Sequence, residues 1–467
     1  METKTKRPFG IRDKIGYLFG DFGNDFTFIL SSSFLLKFYT DVMHVSAGIV
    51  GIVMMLARFV DAFTDVTMGR ICDRRKPTQG GKFKPWLLRM CGPVALSSFL
   101  IYQSAFATSP LWFRVAWLAV TYILWGSVFY TSINIPYGSM ASSISPEPDH
   151  RQSLSTFRSI GSVLAGVIVG AGIPILAYDT RLVDGVEIAE LNGTKFTVIA
   201  GVFSILAILA YIACYFLTEE RVIVLHNEDR KMPSVLALIS NSAKNRALIS
   251  IIVASVLMLL SQFTLQQLAN YIYPDYYANT AAQSASTVAM MLGMFIAAIG
   301  AKPLAGRFGK AEISAVSNLV AAAILLVLFF VRPSNVWVYV AFSLFAWLGL
   351  GVFTMVSWAL ITDVIDDSEL KLGIREDGSI YSLYSFARKL GQAAAAGITG
   401  LLLTLIGYEK IAGAPVADSV KAGLYNISTL VPAAGFVALA AVLWFWYPLH
   451  KKQVDRNVAL LKEKHGR

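Results

Sequence analysis

The sequence predicts an all-α membrane protein with twelve transmembrane helices arranged as two six-helix bundles. Of its 467 residues, 55% are hydrophobic and only 15% are charged, and the mean hydropathy is +0.59. Soluble domains carry about 25% charged residues. A chain this apolar cannot bury its surface in water-soluble cores, and it is too apolar for intrinsic disorder. Long apolar runs recur along it, and one polar stretch divides them into two groups of six.

A membrane-spanning helix needs about 20 mostly apolar residues, and each predicted span is at least that long. Continuous runs are typical of helices, whereas the strands of membrane barrels alternate between apolar and polar residues. The first run is not a cleaved signal peptide, because it carries Asp21 and Asp25 and lacks a small-residue cleavage site. The predicted spans are 15–40, 46–70, 86–107, 112–142, 152–178, 196–217, 246–273, 281–303, 311–331, 335–362, 377–407 and 422–447.

The polar middle of the chain predicts the domain organisation. Residues 1–217 form the N-terminal bundle, 218–245 a cytoplasmic linker, and 246–467 the C-terminal bundle with a cytoplasmic tail. A weak internal repeat supports two related halves, because the basic sequences at 69–75 and 306–310 each follow the second span of a half. Carriers built from repeated halves hold their substrate near the middle of the membrane.

The distribution of positive charge predicts topology. The net charge is +10, and cytoplasmic segments hold 28 of the 40 Lys and Arg residues if both termini are cytoplasmic. This bias follows the positive-inside rule, so the basic residues indicate contact with anionic lipid and no nucleic-acid partner. We expect a multi-pass protein of the plasma membrane, the inner membrane in bacteria, with both termini cytoplasmic.

The cysteines predict no disulfide framework and no metal site. Cys72, Cys91 and Cys214 lie far apart and lack the spacing of metal ligands. We expect buried residues or free thiols, and no cofactor apart from a coupling ion.

Ionisable residues in the second span predict a cation site. Asp61 and Asp65 are four residues apart and share one helix face, and Arg58 lies on the same face. An ionisable residue at bilayer depth costs roughly 2.5–3.5 kcal/mol or more. Two carboxylates in a low dielectric require a shared proton or a cation between them. The alternative for Asp61 is a salt bridge with Arg58 that only holds helices together.

The first and fifth spans carry candidate sugar-binding residues. Asp21 is expected near the cytoplasmic end of its helix and solvated, whereas Asp25 lies deeper. A carboxylate accepts hydrogen bonds from two sugar hydroxyls, which makes Asp25 the better candidate. Arg158 has no acidic neighbour in the sequence, and Asp25 is a candidate partner.

The fourth and eleventh spans add polar groups. Thr131 and Asn134 are three residues apart and can offer oxygen atoms to one cavity, although a proline kink at Pro136 with interhelical hydrogen bonds is the alternative. In the eleventh span, Lys389 is a candidate to neutralise part of the charge of Asp61 and Asp65.

An acidic cluster follows the tenth span, near the cytoplasmic surface. Asp363 and Asp366 belong to it, and Lys371 and Arg375 follow closely. We expect gating or loop salt bridges here, in preference to a substrate site.

Four short motifs carry a family resemblance. They are Asp61–Asp65, Gly81–Trp86, Asn134–Ser139 and Tyr384–Lys389. Together, in this order and at this spacing, they resemble the glycoside–pentoside–hexuronide:cation symporters, the melibiose-permease family of the major facilitator superfamily. The resemblance runs from about residue 10 to 450.

The resemblance implies the major facilitator fold and a set of functional residues. Asp61, Asp65, Thr131 and Asn134 would bind the cation, which is Na⁺ at Asp61 and Asp65 if the protein is sodium-coupled. The sugar-binding candidates are Asp25, Tyr130, Asn134, Arg158, Tyr384 and Lys389. The candidates for coupling or gating are Arg58, Asp363, Asp366 and Lys389.

Two departures from the melibiose branch bear on the substrate. That branch has Asp where this chain has Asn134, and a Trp that stacks on sugar where it has Gly138. An Asn can offer a neutral oxygen to sodium but cannot carry a proton. The motif beginning at Asn134 is more similar to the glucuronide and xyloside members, and Asp25 would oppose a uronate carboxylate, which favours a neutral glycoside.

We therefore expect a monomeric symporter, not an enzyme, that moves a glycoside (a xyloside, glucuronide or related sugar) into the cell with Na⁺ or H⁺. One alternative is a sodium-coupled lysolipid carrier of the same fold, whose groove would be apolar. A lipid-linked glycosyltransferase would need a large polar loop or a metal-binding carboxylate pair at the interface. A sugar sensor that transports nothing is the remaining alternative.

Overall fold

A computed structural model describes residues 7–78, 80–183, 185–222, 245–372, 377–411 and 413–464. These residues form helices at each of the twelve predicted positions, which confirms the all-α fold class. Within the described ranges, nine helices are long and apolar enough to cross a membrane. The chain divides into two compact units: Met1–Arg230 with Leu403–Val416, and Lys231–Leu402 with Ala417–Arg467. Most of the predicted linker, residues 223–244, lies outside the described residues, so the predicted domain boundaries stay predictions.

The first unit contains eight helices and a hairpin among its described residues. Its first helix packs against the seventh and eighth, and its fourth packs against the eighth. The elements are α1 (Ile11–Ile29), α2 (Leu35–Asp41), α3 (Ala47–Arg74), α4 (Lys84–Ile101), α5 (Leu111–Ile123), α6 (Thr131–Ile144), α7 (Pro148–Leu176), β1 (Tyr178–Val183), β2 (Val186–Leu191) and α8 (Gly193–Leu217).

Two π-helical stretches in this unit divide long helices. Leu30–Phe34 joins α1 to α2, and Leu124–Tyr130 joins α5 to α6. A π-helical turn inserts extra backbone into a helix and is frequent at functional sites. Here the second stretch changes the direction in which the side chains of α6 point relative to those of α5.

A β-hairpin between α7 and α8 is absent from the sequence-based expectation. β1 and β2 pair antiparallel, with Tyr178 opposite Leu191 and Val183 opposite Val186. Gly185 adopts φ +79°, and the sequence Asp-Gly at 184–185 is typical of a two-residue hairpin turn.

The segment Leu403–Val416 contributes to the first unit through a buried ion pair. Lys37 Nζ and Asp41 Oδ2 are 2.7 Å apart, and both side chains are almost fully buried. The Tyr408 hydroxyl accepts a hydrogen bond from Lys37 Nζ (2.9 Å) and donates one to Asp41 (3.0 Å). Thr404 Oγ1 accepts a hydrogen bond from the backbone N–H of Gly48 (2.8 Å). Lys37 thus satisfies its charge locally, as a buried charge must.

All regular secondary structure among the described residues of the second unit is helical. α10 and α11 both pack on α12, and α14 packs on α9 and α11. These helices are α9 (Arg246–Tyr271), α10 (Thr280–Phe308), α11 (Lys310–Val331), α12 (Val336–Leu372), α13 (Asp377–Leu405), α14 (Asp418–Ala441) and α15 (Lys451–Lys464), with π-helical stretches at Ile272–Tyr276 and Val442–Trp446.

Asparagine side chains fix the starts of three helices. Asn192, Asn245 and Asn279 accept hydrogen bonds from backbone N–H groups three residues ahead, at the starts of α8, α9 and α10. Such N-caps satisfy backbone donors that a helix leaves without partners. Cys72, Cys91 and Cys214 are buried, as predicted.

A buried carboxylate ties the start of α1 to the chain that follows α8. Asp13 is fully buried and lies within 3.1 Å of Arg7 and 2.9 Å of Arg221. It also accepts hydrogen bonds from the backbone N–H groups of Gly10 (3.2 Å) and Glu219 (3.1 Å). Because each carboxylate oxygen has charged and neutral donors, Asp13 fixes the first helix to the end of the last helix of this unit.

We expect Asp13→Ala to lower the free energy of unfolding of the first unit by about 3 kcal/mol or more, because it leaves two arginines without their buried partner. Thermal unfolding of the purified protein, followed by fluorescence, measures the change. Asp418→Ala is the matched control, since Asp418 is fully exposed and lies 3.9 Å from Lys421. Equal melting temperatures for the two variants would contradict this role for Asp13.

Candidate functional site

Two carboxylates of α3 meet two hydroxyls at the junction of α5 and α6. The Ser127 hydroxyl donates a hydrogen bond to Asp61 Oδ1, and the Thr131 hydroxyl donates one to Asp65 Oδ1 at 2.8 Å. Both donors are buried. The two acids are four residues apart in the sequence, and so are the two hydroxyl-bearing residues. Each acid therefore meets one hydroxyl, on successive helical turns. The structure thus brings Asp61, Asp65 and Thr131 together, and it adds Ser127.

Arg58 pairs with Asp61, which was one of the two interpretations of this spacing. The Arg58 guanidinium lies 3.2 Å from Asp61 Oδ2, and both side chains are mostly buried. Its carbon Cζ lies over the rings of Phe28 (5.2 Å), Tyr122 (5.9 Å) and Trp125 (5.9 Å). These ring faces stabilise a positive charge, so Arg58 has favourable contacts besides its carboxylate.

A glycine allows the close approach of the two helices at Asp61. Gly126 lies in the π-helical stretch Leu124–Tyr130, and a Cβ atom on it would lie 3.3 Å from Asp61 Oδ1. The stretch places Ser127 and Thr131 on the side that faces α3. The local backbone, and not only the residue types, therefore positions the hydroxyls against the carboxylates.

A second pair of carboxylates, the buried Asp21 and the partly buried Asp25, lies on α1 and faces α7. Arg158 Nε donates to Asp21 Oδ1 at 3.0 Å, and the Ser162 hydroxyl donates to Asp25 Oδ2. The expected pairing of Arg158 with Asp25 is wrong in this structure, and so is the solvated position of Asp21, which is 7% exposed. The physical reason is register: Asp21 and Arg158 meet on one turn, and Asp25 and Ser162 meet on the next.

Tyr137 supports this second set. Its ring stacks on that of Tyr17 with centroids 4.6 Å apart, and its hydroxyl donates to the Tyr17 carbonyl at 2.6 Å. Arg158 lies over the same ring, with Cζ 5.3 Å from the centroid. Tyr137 therefore holds the guanidinium of Arg158 on the α1 side of the site.

Asn134 contacts the first helix. Asn24 Nδ2 donates to Asn134 Oδ1 at 3.5 Å, and the Tyr211 hydroxyl donates to Asn24 Oδ1 at 2.8 Å. Asn134 follows Thr131 by three residues, so α6 contacts α3 through Thr131 and α1 through Asn134. Tyr130 lies between Phe28 (5.8 Å) and Trp125 (5.3 Å), measured between ring centroids.

The remaining predicted residues lie in the second unit. Tyr384 is buried, accepts a hydrogen bond from the Ser255 hydroxyl (2.8 Å) and contacts Trp358 edge-on. Lys389, on α13, is partly buried. Asp363 pairs with Lys310 at 2.5 Å, the kind of salt bridge expected of the acidic cluster. Asp366 is partly buried beside it on α12.

The chemistry of the first set suits a small monovalent cation. Hard cations take oxygen ligands, and Asp61, Asp65, Ser127 and Thr131 all offer oxygen. Within the described parts of the chain, no three His, Cys, Asp or Glu side chains converge as a metal-binding group. Hydroxyl oxygens would therefore have to complete the coordination that the carboxylates begin.

Reasoning from the sequence missed Ser127 and Ser162. Each serine follows the four-residue spacing of its helix: Ser127 precedes Thr131, and Ser162 follows Arg158. The available signal was that matched spacing, since two acids four apart on one helix need two partners four apart on the next.

In a helical membrane protein, carboxylates that face hydroxyls and an arginine on neighbouring helices mark a substrate or ion path of the kind found in secondary carriers. Residues 16–451 match the family described as MFS/sugar transport protein, and the chain belongs to that family. It is thus a multi-pass membrane sugar transporter of the major facilitator superfamily and not an enzyme.

Individual proteins agree with this assignment. The chain is 30% identical to the putative sulfoquinovose importer of Salmonella typhimurium, with 95% of this chain and 91% of the relative covered. It is also 30% identical to the glucuronide carrier protein homolog of Escherichia coli, with 96% and 94% covered. The crystal structure of a mutant of the nucleoside transporter NupG superposes with a TM-score of 0.66 at 12% identity, covering 93% of this chain and 100% of that one. At that identity the likeness shows the fold alone.

We expect Gly126→Ala to slow sugar uptake about fivefold, because overpacking by one methyl against Asp61 costs about 1 kcal/mol or more. Initial uptake rates in cells, normalised to the amount of protein in the membrane, measure the effect. Gly92→Ala on α4 is the control, since a Cβ there meets nothing within 4 Å. Similar rates for both variants would show that the close approach at Gly126 is not needed.

Proposed function

We propose that the protein is a secondary active symporter that moves a glycoside into the cell together with one monovalent cation, Na⁺ or H⁺, by alternating access. The observation that carries the proposal is the cation set: the partly buried carboxylates Asp61 and Asp65, bound by the buried hydroxyls of Ser127 and Thr131, with Arg58 paired to Asp61. Carboxylates within membrane-spanning helices are costly, and they mark ion or proton paths. A site made of carboxylate and hydroxyl oxygens takes a dehydrated cation or a proton.

The sugar site is proposed at Asp25 and Arg158, which lie on facing helices. A carboxylate accepts hydrogen bonds from sugar hydroxyls, and a guanidinium donates them. Tyr130, which contacts the rings of Phe28 and Trp125, and Asn134, which contacts Asn24, are further candidates in the same unit. The relatives named for sulfoquinovose and glucuronide support a sugar substrate, and we propose a xyloside, a glucuronide or a related glycoside.

The same proposal covers the oligomeric state, the location and the orientation of the protein. The protein would act as a monomer in the plasma membrane with both termini cytoplasmic, and it would need no cofactor besides its coupling ion. The excess of Lys and Arg in the segments assigned to the cytoplasm supports this orientation.

The proposal is tested by removing charge from the cation set. We expect Asp61→Asn or Asp65→Asn to reduce gradient-driven sugar accumulation to the level seen without a gradient, because a neutral amide no longer compensates a cation. Sugar accumulated by vesicles under an imposed Na⁺ or H⁺ gradient is the measurement. Asp179→Asn is the control, since Asp179 lies on β1 and pairs with Lys195. Normal accumulation in both site variants would contradict the cation assignment.

The proposed sugar site predicts variants in which the affinity for sugar falls more than the affinity for the cation. We expect Asp25→Asn and Arg158→Ala to weaken sugar binding about tenfold or more, since hydrogen bonds to charged groups contribute roughly 1.5–3 kcal/mol. Cation affinity should change less. Calorimetric titration of the purified protein with sugar and with cation gives both affinities, and Asp149→Asn, an exposed change on α7, is the control. Unchanged sugar affinity in folded variants would exclude these residues from the site.

The proposed role of Asn134 in the cation site predicts that its substitution changes the ion dependence of sugar uptake. We expect Asn134→Asp to alter either the preference for Na⁺ over H⁺ or the pH dependence of uptake, because an added carboxylate can carry charge or a proton. Uptake under each gradient, at acidic and alkaline pH, measures this. The control is Asn426→Asp, beside Arg332 on an exposed surface. A variant that matches the wild type in both respects would remove Asn134 from the cation site.

A further inference from the structure

A cluster of buried polar atoms next to Arg58 has no role in the sites described so far. The side-chain polar atoms of Ser31, Tyr102, Tyr122 and Trp125 are buried, and none makes a hydrogen bond. All four side chains are at most 2% exposed. A buried polar atom without a partner costs roughly 1–3 kcal/mol, so four together need a physical reason. We call the three hydroxyl-bearing residues, Ser31, Tyr102 and Tyr122, the hydroxyl pocket.

The hydroxyl pocket is assembled by three separate parts of the first unit. Ser31 lies in the π-helical stretch Leu30–Phe34, Tyr102 directly follows α4, and Tyr122 lies on α5. The Ser31 hydroxyl interacts with the hydroxyls of both tyrosines, although none of these contacts has hydrogen-bond geometry. The three hydroxyl oxygens therefore lie close together but do not form hydrogen bonds with one another.

Arg58 lies between this pocket and Asp61. One of its terminal nitrogens donates to Asp61, while its guanidinium interacts with the Tyr122 hydroxyl and lies 5.9 Å from the Tyr122 ring. The rings of Tyr122 and Trp125 stack with centroids 5.6 Å apart, and the guanidinium contacts both. The guanidinium thus contacts Asp61 and the Tyr122 hydroxyl from one position, and a shift toward the hydroxyl would release the carboxylate.

The chemistry of the pocket fits a guanidinium. Each hydroxyl oxygen can accept hydrogen bonds, and a guanidinium has five donors in a planar fork and no acceptor. A bare cation at this place would lack a negative ligand, whereas a tethered arginine brings its own charge and its own donors. Contacts with the aromatic faces help to hold that charge away from water.

We propose that Arg58 is a tethered cation that competes with the coupling ion for Asp61, and that the hydroxyl pocket receives its guanidinium when the ion binds. This inference rests on the proposed cation coupling. The apparent affinity for the ion then depends on the difference in free energy between the two positions of Arg58. A ligand shifts such an equilibrium only by its differential affinity for the two states. Arg58 and Tyr122 would set how tightly the protein holds its ion, while the carboxylates and hydroxyls of the cation set provide the ligands.

The test removes one oxygen from the pocket and keeps the ring. We expect Tyr122→Phe to raise the concentration of the driving ion, Na⁺ or H⁺, at which sugar uptake is half-maximal, by about threefold to tenfold, because the displaced guanidinium loses an acceptor. The maximal rate at saturating ion should change little. Tyr447→Phe is the control, since Tyr447 is a buried tyrosine of the second unit whose hydroxyl donates to the Leu360 carbonyl.

A double-mutant cycle separates this effect from a structural one. In the Arg58→Gln background no guanidinium enters the pocket, so Tyr122→Phe should change the half-maximal ion concentration less than twofold. If Arg58→Gln does not yield folded protein, Arg58→Lys serves instead, because a single ammonium forms hydrogen bonds with fewer of the hydroxyls. In the Arg58→Lys background, the logarithm of the fold-change caused by Tyr122→Phe should be at most half of that in the wild type. The cycle is read by ion titration of uptake and by direct ion binding to the purified protein.

The outcomes distinguish the two proposals. An equal effect of Tyr122→Phe in both backgrounds would overturn the tethered-cation inference and leave symport intact. The same holds if Tyr122→Phe leaves the ion dependence of the wild type unchanged. A wild-type protein whose sugar uptake no Na⁺ or H⁺ gradient drives would overturn the proposed function itself, and the inference with it.

Discussion

The need to give every buried charge a partner inside the membrane determines the arrangement of the first unit. Asp61 and Asp65 on α3 face Ser127 and Thr131, and Asp21 and Asp25 on α1 face Arg158 and Ser162. In both places two acids one turn apart meet two donors one turn apart on a neighbouring helix. Charges at bilayer depth are too costly to leave without partners, so these contacts help to fix helix register together with apolar packing.

The two sets are connected through one short helix. Thr131 and Asn134 belong to α6: Thr131 contacts Asp65, and Asn134 contacts Asn24 on α1. Asn24 directly precedes Asp25, so two side-chain contacts and one turn of helix connect the cation set to the proposed sugar set. This is a contiguous physical connection between the two sets.

Composition and spacing were sufficient to predict the fold class, the membrane helices and the pairing of acids on single helices. They could not predict which acid Arg158 selects, because that depends on the register of α1 against α7, set by close packing such as that of Gly161 on the Leu18 carbonyl. Ser127 and Ser162 were missed because a serine in an apolar helix is ordinary until its neighbour is known. The π-helical stretch at Leu124–Tyr130 and the hairpin between α7 and α8 have local causes that a search for long apolar runs passes over.

The most direct test of cation-coupled sugar transport is uptake by vesicles of labelled xylosides, glucuronides and galactosides, with a Na⁺ gradient or an H⁺ gradient imposed one at a time. We expect one class of sugar to accumulate above its equilibrium level under one of the two gradients. Failure of every sugar to accumulate under either gradient, with protein verified as folded, would contradict symport and favour the lipid carrier or the sensor.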